Sequence, residues 1–178
     1  MTSDDQALTC TAYIGLGSNL GDRLGNLSKA LYEIAGFEQT TVQAVSHAYE
    51  SEPAYLSEQP NFLNAVCQIC TVLEPEQLLG CLLGIEDRMG RVRTCANDPR
   101  VIDLDLLVFG ECELSTERLT LPHPGITQRD FVVTPLLEIA PTLVLPGGVQ
   151  LRRTDGLIGR CISDAGPIPG PHPTRGSQ

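Results

Sequence analysis

The sequence has little positive charge. Lys and Arg together number 12 against 22 Asp and Glu, which gives a formal net charge of −10. Lysine occurs once, at Lys29, so almost all of the positive charge is arginine. A broad nucleic-acid-binding surface needs clustered cations to neutralise phosphates. We therefore expect a protein that does not bind nucleic acid.

Long hydrophobic runs are also absent. No apolar stretch approaches the roughly 20 residues that cross a bilayer. The N-terminus, MTSDDQALTC, lacks the basic and apolar regions of a signal peptide. We therefore expect a cytoplasmic protein with no membrane contact. At 178 residues the chain suits one domain.

The seven cysteines do not show metal-ligand spacing. The one close pair is Cys67 and Cys70, and residues three apart on a strand point to opposite faces. No second pair of this kind exists, and the three histidines are distant from this pair in sequence. Buried thiols are therefore favoured over a zinc or redox site.

The order of predicted elements is strand, helix, two strands, helix, strand. Strands are indicated over residues 11–19, 41–49, 62–73 and 101–109, and the first helix carries an apolar stripe from Leu20 to Ile34. A last helix is predicted over residues 128–140, followed by a small hairpin. This order is typical of a ferredoxin-like α+β domain, a mainly antiparallel sheet with helices packed on it. Residues 1–11 are expected to be a flexible N-terminus, 12–164 a single domain, and 165–178, rich in Pro and Gly, a disordered tail.

The stretch NDPRVIDLDLLVFG, residues 97–110, places two carboxylates inside an apolar strand. Asp103 and Asp105 point to the same face, about 6.6 Å apart along the chain. We expect the opposite face to pack into the core, with Ile102, Leu104, Leu106 and Val108 on it. Two carboxylates this close repel each other unless a cation lies between them. Magnesium prefers carboxylate and phosphate oxygens, so a pair of divalent ions would suit this spacing.

Arginines cluster just before these aspartates, at positions 88, 91, 93 and 100. Guanidinium groups bind phosphate oxygens with two parallel hydrogen bonds, which lysine cannot do. Exposed Asp–Arg ion pairs remain the alternative. The clustering favours a phosphorylated ligand, and hence phosphoryl chemistry in which charge is neutralised as a phosphoryl group moves.

Four segments together resemble 6-hydroxymethyl-7,8-dihydropterin pyrophosphokinases of folate biosynthesis. They are YIGLGSNLGDR, SEQPNFLNAV, EDRMGRVR with PRVIDLDLLVFG, and LTLPHPGITQRDFVVTPLLEIAP, which span most of the chain. The resemblance implies a ferredoxin-like pyrophosphokinase domain over residues 12–164. It further implies ATP as co-substrate, two Mg²⁺ ions, and transfer of pyrophosphate to the pterin hydroxymethyl oxygen with release of AMP.

The resemblance also assigns roles to individual residues. Asp103 and Asp105 match the metal-binding pair, and Arg91 and Arg100 match the catalytic arginines that grip the transferring phosphates. The residues that match nucleotide contacts are Glu86, Arg93, His123 and Arg129. The residues that match the pterin pocket are Ser51, Phe62, Asn64 and Phe131. The partners implied are small-molecule substrates, with a monomer expected and an oligomer left open.

The sequence departs from the family pattern in two places. Many members carry a tryptophan where this chain has Asn97, and the chain has no tryptophan at all. The predicted pterin loop contains Glu52-Pro53-Ala54-Tyr55 where a proline and a glycine are expected.

Gly15 and Gly17 do not have the spacing of a dinucleotide-binding motif, and a tight turn between strand and helix explains them equally well.

Two other function classes remain open from the residues alone. A two-metal phosphohydrolase would use the same aspartates and arginines and release inorganic phosphate from ATP. A non-catalytic ligand-binding module of the same fold would bind nucleotide without turnover. The pyrophosphokinase hypothesis differs from both in predicting AMP release that depends on hydroxymethyldihydropterin.

Overall fold

The computed structural model describes residues 9–55, 58–92 and 98–171. The main strands are β1 (Cys10–Ser18), β2 (Thr40–Val45), β3 (Ala48–Ser51), β4 (Phe62–Thr71) and β5 (Asp103–Phe109). The helices are α1 (Arg23–Ala35), α2 (Pro75–Arg88) and α3 (Asp130–Ile139). The remaining strands are β6 (Leu114–Ser115), β7 (Thr120–Leu121), β8 (Val144–Leu145), β9 (Val149–Gln150) and β10 (Cys161–Gly166).

Six strands form one sheet in which the pairings are antiparallel. β1 lies between β4 and β5, and β4 pairs on its other side with β2 and with β3. β10 continues the sheet beyond β3. The order β5–β1–β4–β2, with α1 and α2 as the crossover connections, is that of a ferredoxin-like α+β fold. The predicted fold class is confirmed.

The strand predicted over residues 41–49 is two strands that share β4 as a partner. β2 pairs with one half of β4, through Cys67 to Thr71, and β3 pairs with the other half. Ser46 lies at the break, where its backbone N–H donates to Val66 O and its Oγ accepts from Val66 N–H, both at 2.9 Å. The side-chain hydroxyl thus replaces a ladder hydrogen bond where the chain changes direction.

The helices begin close to the predicted positions. Asp22 caps α1 by accepting the Gly25 N–H at 3.0 Å, and Gly36 ends it. Leu20, predicted within the apolar stripe, precedes the helix and is 38 % exposed. Pro135 lies inside α3. No helix in the described ranges is long and apolar enough to cross a membrane.

Both faces of the sheet carry a core, because α1 and α2 cover one face and α3 packs on the other. Leu104 and Leu106 lie in the first core, as predicted. Val108, predicted on the same face, lies instead in the core beneath α3 together with Leu107. The reason is a bulge: the register between β1 and β5 shifts after Leu106, so the alternation of faces changes there.

The chain ends are more ordered than composition predicts. Cys10 and Thr11, assigned to a flexible N-terminus, pair with β4 as the start of β1. The boundary of the disordered tail at residue 165 is also wrong, because β10 extends to Gly166 and Ile168 is only 9 % exposed within the core beneath α1. Pairing with the edge of β3 supplies hydrogen bonds that composition does not reveal. Residues 1–8 and 172–178 lie outside the described residues.

Candidate functional site

The centre of the candidate site is the row where β4, β1 and β5 lie side by side. Gly17 pairs with Asn64 on one side and with Asp103 on the other, and Gly15 pairs with Asp105. Alternate residues of a strand share a face, so the amide and both carboxylates line one cleft on the α3 side of the sheet. The predicted common face of the two aspartates is confirmed.

The two glycines keep the floor of this cleft open. A Cβ added to Gly17 would lie 2.9 Å from Asn64 Oδ1, closer than such atoms normally approach. A Cβ on Gly15 would make ordinary contacts of 3.5 Å with the Leu107 side chain. Both glycines lie within β1 rather than in a turn, and sequence reasoning did not assign them to the site. Two glycines at alternate positions of one strand are the signal that could have done so.

Asp103 is held between two arginines. Arg91 contacts Asp103 Oδ1 and Glu86 Oε1 through the same nitrogen, and Arg100 Nη2 lies 2.9 Å from Asp103 Oδ2. Glu86 is 1 % exposed and also accepts the Leu104 N–H at 2.7 Å. Burial alone would lower the pKa of Arg91, but Asp103 and Glu86 raise it above its ordinary value. The buried acid thus joins α2 and β5 and orients the Arg91 guanidinium.

Arg100 is fixed through its backbone by Asn19, a residue that lies between β1 and α1. The Arg100 N–H donates to Asn19 Oδ1 at 2.8 Å, and the Arg100 carbonyl accepts the Asn19 N–H at 3.1 Å. Asn19 Nδ2 also donates to Gln59 Oε1 and the Pro60 carbonyl, at 3.0 and 3.2 Å. The Arg100 guanidinium lies 5.3 Å from the centre of the Phe62 ring. Asn19 therefore links the arginine to the loop before β4.

Asp105 has a weaker cationic partner than Asp103. Its Oδ2 lies 3.8 Å from Arg129 Nη1, and its side chain keeps 37 % of its surface accessible within the cleft. Removal from bulk water and the negative charge of Asp103 raise the pKa of Asp105 to about 7. Arg129 in turn lies between the rings of Tyr55 and Phe131, 5.9 and 5.8 Å from their centres. Asp105 is therefore the carboxylate of the pair whose charge is less well compensated.

Two arginine nitrogens at the site point to a ligand. The Nε atoms of Arg100 and Arg129 are buried without a hydrogen-bond partner among the described residues. An unpaired buried donor is costly, and an anionic oxygen would satisfy it. Within the same residues, no three His, Cys, Asp or Glu side chains converge to hold a metal ion. A cation at this site would therefore be held by the two aspartates together with oxygens of a ligand.

Asp103 and Asp105 lie where two clefts meet. The first contains about 580 Å³ of empty space, partly open to solvent, and its walls include Ser51, Phe62, Asn64 and Phe131. The second contains about 800 Å³, also partly open to solvent, and its lining residues include Leu79, Leu83, Glu86, Arg91, Arg118, Thr120 and His123. Both clefts include the two aspartates, so ligands in them would meet at the carboxylates.

The first cleft combines a flat apolar wall with one polar edge. Asn64 Nδ2 donates to Ser51 Oγ at 2.7 Å, and the two side chains are 5 % and 1 % exposed. This hydrogen bond orients the amide and leaves it able to donate and accept toward the cleft. Phe62 and Phe131 contribute aromatic surface. Such a surface suits a planar heterocycle with donors and acceptors along one edge.

His123 in the second cleft is a neutral side chain with a defined tautomer. Its Nδ1 accepts the Gly125 N–H at 3.0 Å, which leaves Nε2 as the protonated nitrogen. Burial, followed by the positive charge of Arg129, lowers the pKa of His123 to about 4. The backbone N–H of His123 donates to the Leu107 carbonyl at 2.8 Å and so attaches this turn to β5. His123 can therefore donate a hydrogen bond without adding charge.

The structure brings the predicted site residues together with one exception. Arg93 lies outside the described residues, as does Asn97. The others line one of the two clefts or, like Arg129, contact a residue that does. Their individual roles stay predictions. Arg118 and Thr120, which also line the second cleft, had no signal in the sequence pattern.

Comparisons with known proteins point to one family. A family model described as 7,8-dihydro-6-hydroxymethylpterin-pyrophosphokinase matches residues 13–141. The chain is 45 % identical to the 2-amino-4-hydroxy-6-hydroxymethyldihydropteridine pyrophosphokinase of Methylorubrum extorquens over 136 residues, covering 76 % of this chain and 86 % of that protein. A crystal structure of Plasmodium falciparum HPPK-DHPS shares the fold, with a TM-score of 0.62 at 15 % identity, over 78 % of this chain and 43 % of that one.

A longer relative matches over a similar part of the chain. The chain is 44 % identical to the folic acid synthesis protein fol1 of Schizosaccharomyces pombe over 135 residues, which are 76 % of this chain. The chain spans about a fifth of the length of that relative, since the match covers 18 % of it. The family match includes the two aspartates, the arginines around them and both clefts. The chain belongs to the 7,8-dihydro-6-hydroxymethylpterin-pyrophosphokinase family.

Proposed function

We propose that the protein transfers pyrophosphate from ATP to the hydroxymethyl group of 6-hydroxymethyl-7,8-dihydropterin in folate biosynthesis. The hydroxymethyl oxygen bonds to the β-phosphorus of ATP, the bond from that phosphorus to the α-bridging oxygen breaks, and AMP leaves while the hydroxyl proton is lost. Such a step requires two substrates held in line and charge neutralisation, with no covalent nucleophile. The observation that carries the proposal is that two clefts meet at Asp103 and Asp105.

The pterin is proposed to occupy the first cleft. Asn64 would pair with the donors and acceptors along the edge of the heterocycle, because its amide is oriented by Ser51. Phe62 and Phe131 would contact the two faces of the ring, where offset stacking contributes about 0.5–1.5 kcal/mol beyond area burial. The open floor at Gly17 would let the ring approach the aspartates.

The nucleotide is proposed to occupy the second cleft. Leu79 and Leu83 offer an apolar surface for the adenine, and Arg118 also lines this cleft. His123, neutral and protonated on Nε2, would donate to an oxygen of the triphosphate. Arg93 is proposed as a further nucleotide contact on the evidence of the family resemblance alone.

The arginines are proposed to hold the phosphates during transfer. Arg91 and Arg100 are both bound to Asp103, so they lie beside the position where the β-phosphate would meet the hydroxymethyl oxygen. The unpaired Nε of Arg100 and that of Arg129 provide donors for phosphate oxygens. An interaction that strengthens as charge moves affects kcat more than ground-state binding. Arg100→Ala should therefore lower kcat far more than it weakens ATP binding, as initial rates and nucleotide titration would measure.

Asp103 and Asp105 fit a magnesium site. They offer hard oxygen ligands on one strand face, and a bound cation would offset the burial and the charge of Asp103 that raise the pKa of Asp105. We propose that these two carboxylates hold two Mg²⁺ ions together with triphosphate oxygens. Bound magnesium would neutralise the developing charge on the phosphates. Asp103 would then exchange part of its contact with Arg91 and Arg100, leaving these arginines available to the substrate.

An assay of AMP release tests the proposal. The protein is incubated with ATP, with and without 6-hydroxymethyl-7,8-dihydropterin, over a range of Mg²⁺ concentrations. The expected result is AMP that forms in equal amount with pterin diphosphate, requires the pterin and rises with magnesium. Inorganic phosphate released without pterin would indicate a phosphohydrolase instead. Nucleotide binding without any turnover would indicate a ligand-binding module.

The proposal includes small-molecule substrates and a cytoplasmic, monomeric protein. For a monomer, sedimentation velocity at assay concentrations should give a single species near 19.2 kDa. A larger species would contradict the monomer and leave the chemistry unchanged.

A further inference from the structure

The segment of residues 158–161, which follows the part matched by the family model, lies against two walls of the first cleft. We call it the C-terminal strap. Its Ile158 exchanges backbone hydrogen bonds with the start of α3, donating to the Gln128 carbonyl and accepting the Asp130 N–H, both at 2.9 Å. Its Arg160 carbonyl accepts the Glu52 N–H at 3.1 Å. The strap therefore joins the start of α3 to the loop after β3.

Asp130 attaches the strap to α3 a second time. This side chain is 4 % exposed, and its Oδ2 accepts the Cys161 N–H at 2.9 Å. Its Oδ1 accepts the Thr134 hydroxyl at 2.7 Å, one turn further along the helix. Arg153 Nη2 also contacts Oδ2, at 3.3 Å. A buried carboxylate with these partners is expensive to disturb, so the strap and the first turn of α3 form one unit.

Gly159 is the point of closest approach between the strap and the cleft. A Cβ at this position would lie 2.3 Å from Cδ1 and 2.6 Å from Cε1 of Phe131, and 3.4 Å from Cβ of Ala54. The Gly159 φ of +63° is also a conformation that favours glycine. The backbone of Gly159 thus packs directly against the ring of Phe131, at a position where the Cβ of any other residue would clash with the ring.

The first turn of α3 needs this support. Pro135 has no N–H, so it cannot make the helical hydrogen bond to the Phe131 carbonyl. Arg129, the residue before the helix, makes no side-chain capping hydrogen bond. The helix therefore holds the backbone of Phe131 less firmly than usual, and the strap supplies the missing constraint.

We propose that the C-terminal strap is a positioning element for the pterin pocket. Gly159 sets the location of the Phe131 ring, and the Arg160 carbonyl joins the strap to the loop that begins at Glu52. The inference rests on the proposed function, because it assumes that the ring contacts the pterin. It assigns a role in substrate binding to residues outside the family match. None of the four residues lines the second cleft. Ile158 pairs with Arg129, whereas Gly159 lies against Phe131 and Ala54, so a change at Gly159 acts on the pterin pocket.

Gly159→Ala tests this proposal, with Gly156→Ala as the matched control. Gly156 has a similar φ of +82° but no atom within 4 Å of an added Cβ, so it shares the backbone cost without the contact. Gly159→Ala should raise KM for the pterin about tenfold, since a displacement of about 1 Å in a site has large effects, and leave KM for ATP within about twofold. Gly156→Ala should leave both constants near wild type. Equal pterin KM values in the two variants, or a parallel rise in KM for ATP, would overturn the proposal.

A double variant separates the ring from general loosening of the fold. In a Phe131→Ala background, Gly159→Ala should have no further effect on KM for the pterin, because the atoms it displaces are gone. A full additional tenfold rise in that background would refute the role of the ring.

Aromatic NMR of the substrate-free variants provides a readout that does not depend on activity. The chain has four phenylalanines, so the ring signals can be assigned by substitution. Gly159→Ala should shift the Phe131 ring signals, and Gly156→Ala should not. If the wild type forms no pterin-dependent AMP, the proposed function fails even where Gly159→Ala shifts the Phe131 ring signals. If the enzyme is active and those signals do not shift, the proposal for the strap fails and the proposed function stands.

Discussion

Replacing Glu86 with glutamine tests the buried network behind the two aspartates. Glu86 is 1 % exposed and accepts hydrogen bonds from the Leu104 N–H and from Arg91. Both hydrogen bonds are accepted by Oε1, so the carbonyl oxygen of glutamine can accept both, but the negative charge beside the Arg91 guanidinium is lost. A hydrogen bond to a charged group contributes about 1.5–3 kcal/mol, and charge on the acceptor roughly doubles the strength of such a bond. We therefore expect a loss of about half of that contribution, about 1 kcal/mol.

This loss should appear in both stability and activity. One kcal/mol corresponds to about 2–4 °C in Tm for a domain of this size, so Glu86→Gln should lower Tm by about 2–4 °C. Arg91 loses one of its two charged partners, and we expect kcat to fall at least about tenfold because the guanidinium is held less firmly in one orientation. Calorimetry and the AMP-release assay measure the two effects.

A neighbouring residue provides the control. Asp87 follows Glu86 on α2 but is exposed, and a carboxylate near the C-terminal end of a helix is slightly unfavourable. Asp87→Asn removes the same charge and should leave Tm and kcat unchanged or slightly raise Tm. If Glu86→Gln and Asp87→Asn behave alike, the buried carboxylate does not organise the site and the reasoning fails.

Three further substitutions follow from the same geometry. Asp105→Asn should abolish Mg²⁺-dependent turnover yet stabilise the metal-free protein at high pH. The pKa of Asp105 in the wild type is raised to about 7, so the wild type loses stability as the pH rises from the ordinary pKa near 3.8 to that value. The Tm of the variant should therefore exceed that of the wild type by more at pH 8 than at pH 5 without divalent ions, and a constant difference would contradict the assignment. Gly17→Ala should raise KM for the pterin by displacing the Asn64 amide, while nucleotide affinity measured by calorimetric titration stays unchanged. Asp164→Asn should return the pKa of His47 toward its ordinary value in an NMR titration, since the hydrogen bond to Asp164 raises it. The pair stabilises the fold fully between the ordinary aspartate pKa and the ordinary histidine pKa. The Tm difference between wild type and variant should therefore be largest near pH 5 and should shrink by pH 8.

Much of the site was predictable because its signals are local. Asp103 and Asp105 lie two residues apart on a strand, and strand geometry alone places them on one face. The apolar stripe of α1 and its Asp22 cap are likewise encoded within a few residues. Arg91 and Arg100 were predicted from their closeness to the aspartates in sequence, and the ion pairs confirm their closeness in space.

The parts that were missed depend on contacts between distant segments. Val108 changes face because β5 bulges against β1, and no pattern within β5 reveals the partner strand. Gly17 matters because Asn64 lies opposite to it, 47 positions away in the sequence. β10 joins the edge of β3 although the end of the chain is rich in Pro and Gly. Composition predicts whether a segment can form structure by itself. It does not show that the folded sheet offers this segment the unpaired edge of β3 as a hydrogen-bonding partner.

The residue at which α3 begins has a consequence for the size of the reaction chamber. Phe131 and Val132 lie in the first turn of this helix, and both line the first cleft. One more helical turn before Asp130 would add about 5.4 Å to the helix at this end. The width of heterocycle that this protein admits thus depends on where its last helix begins.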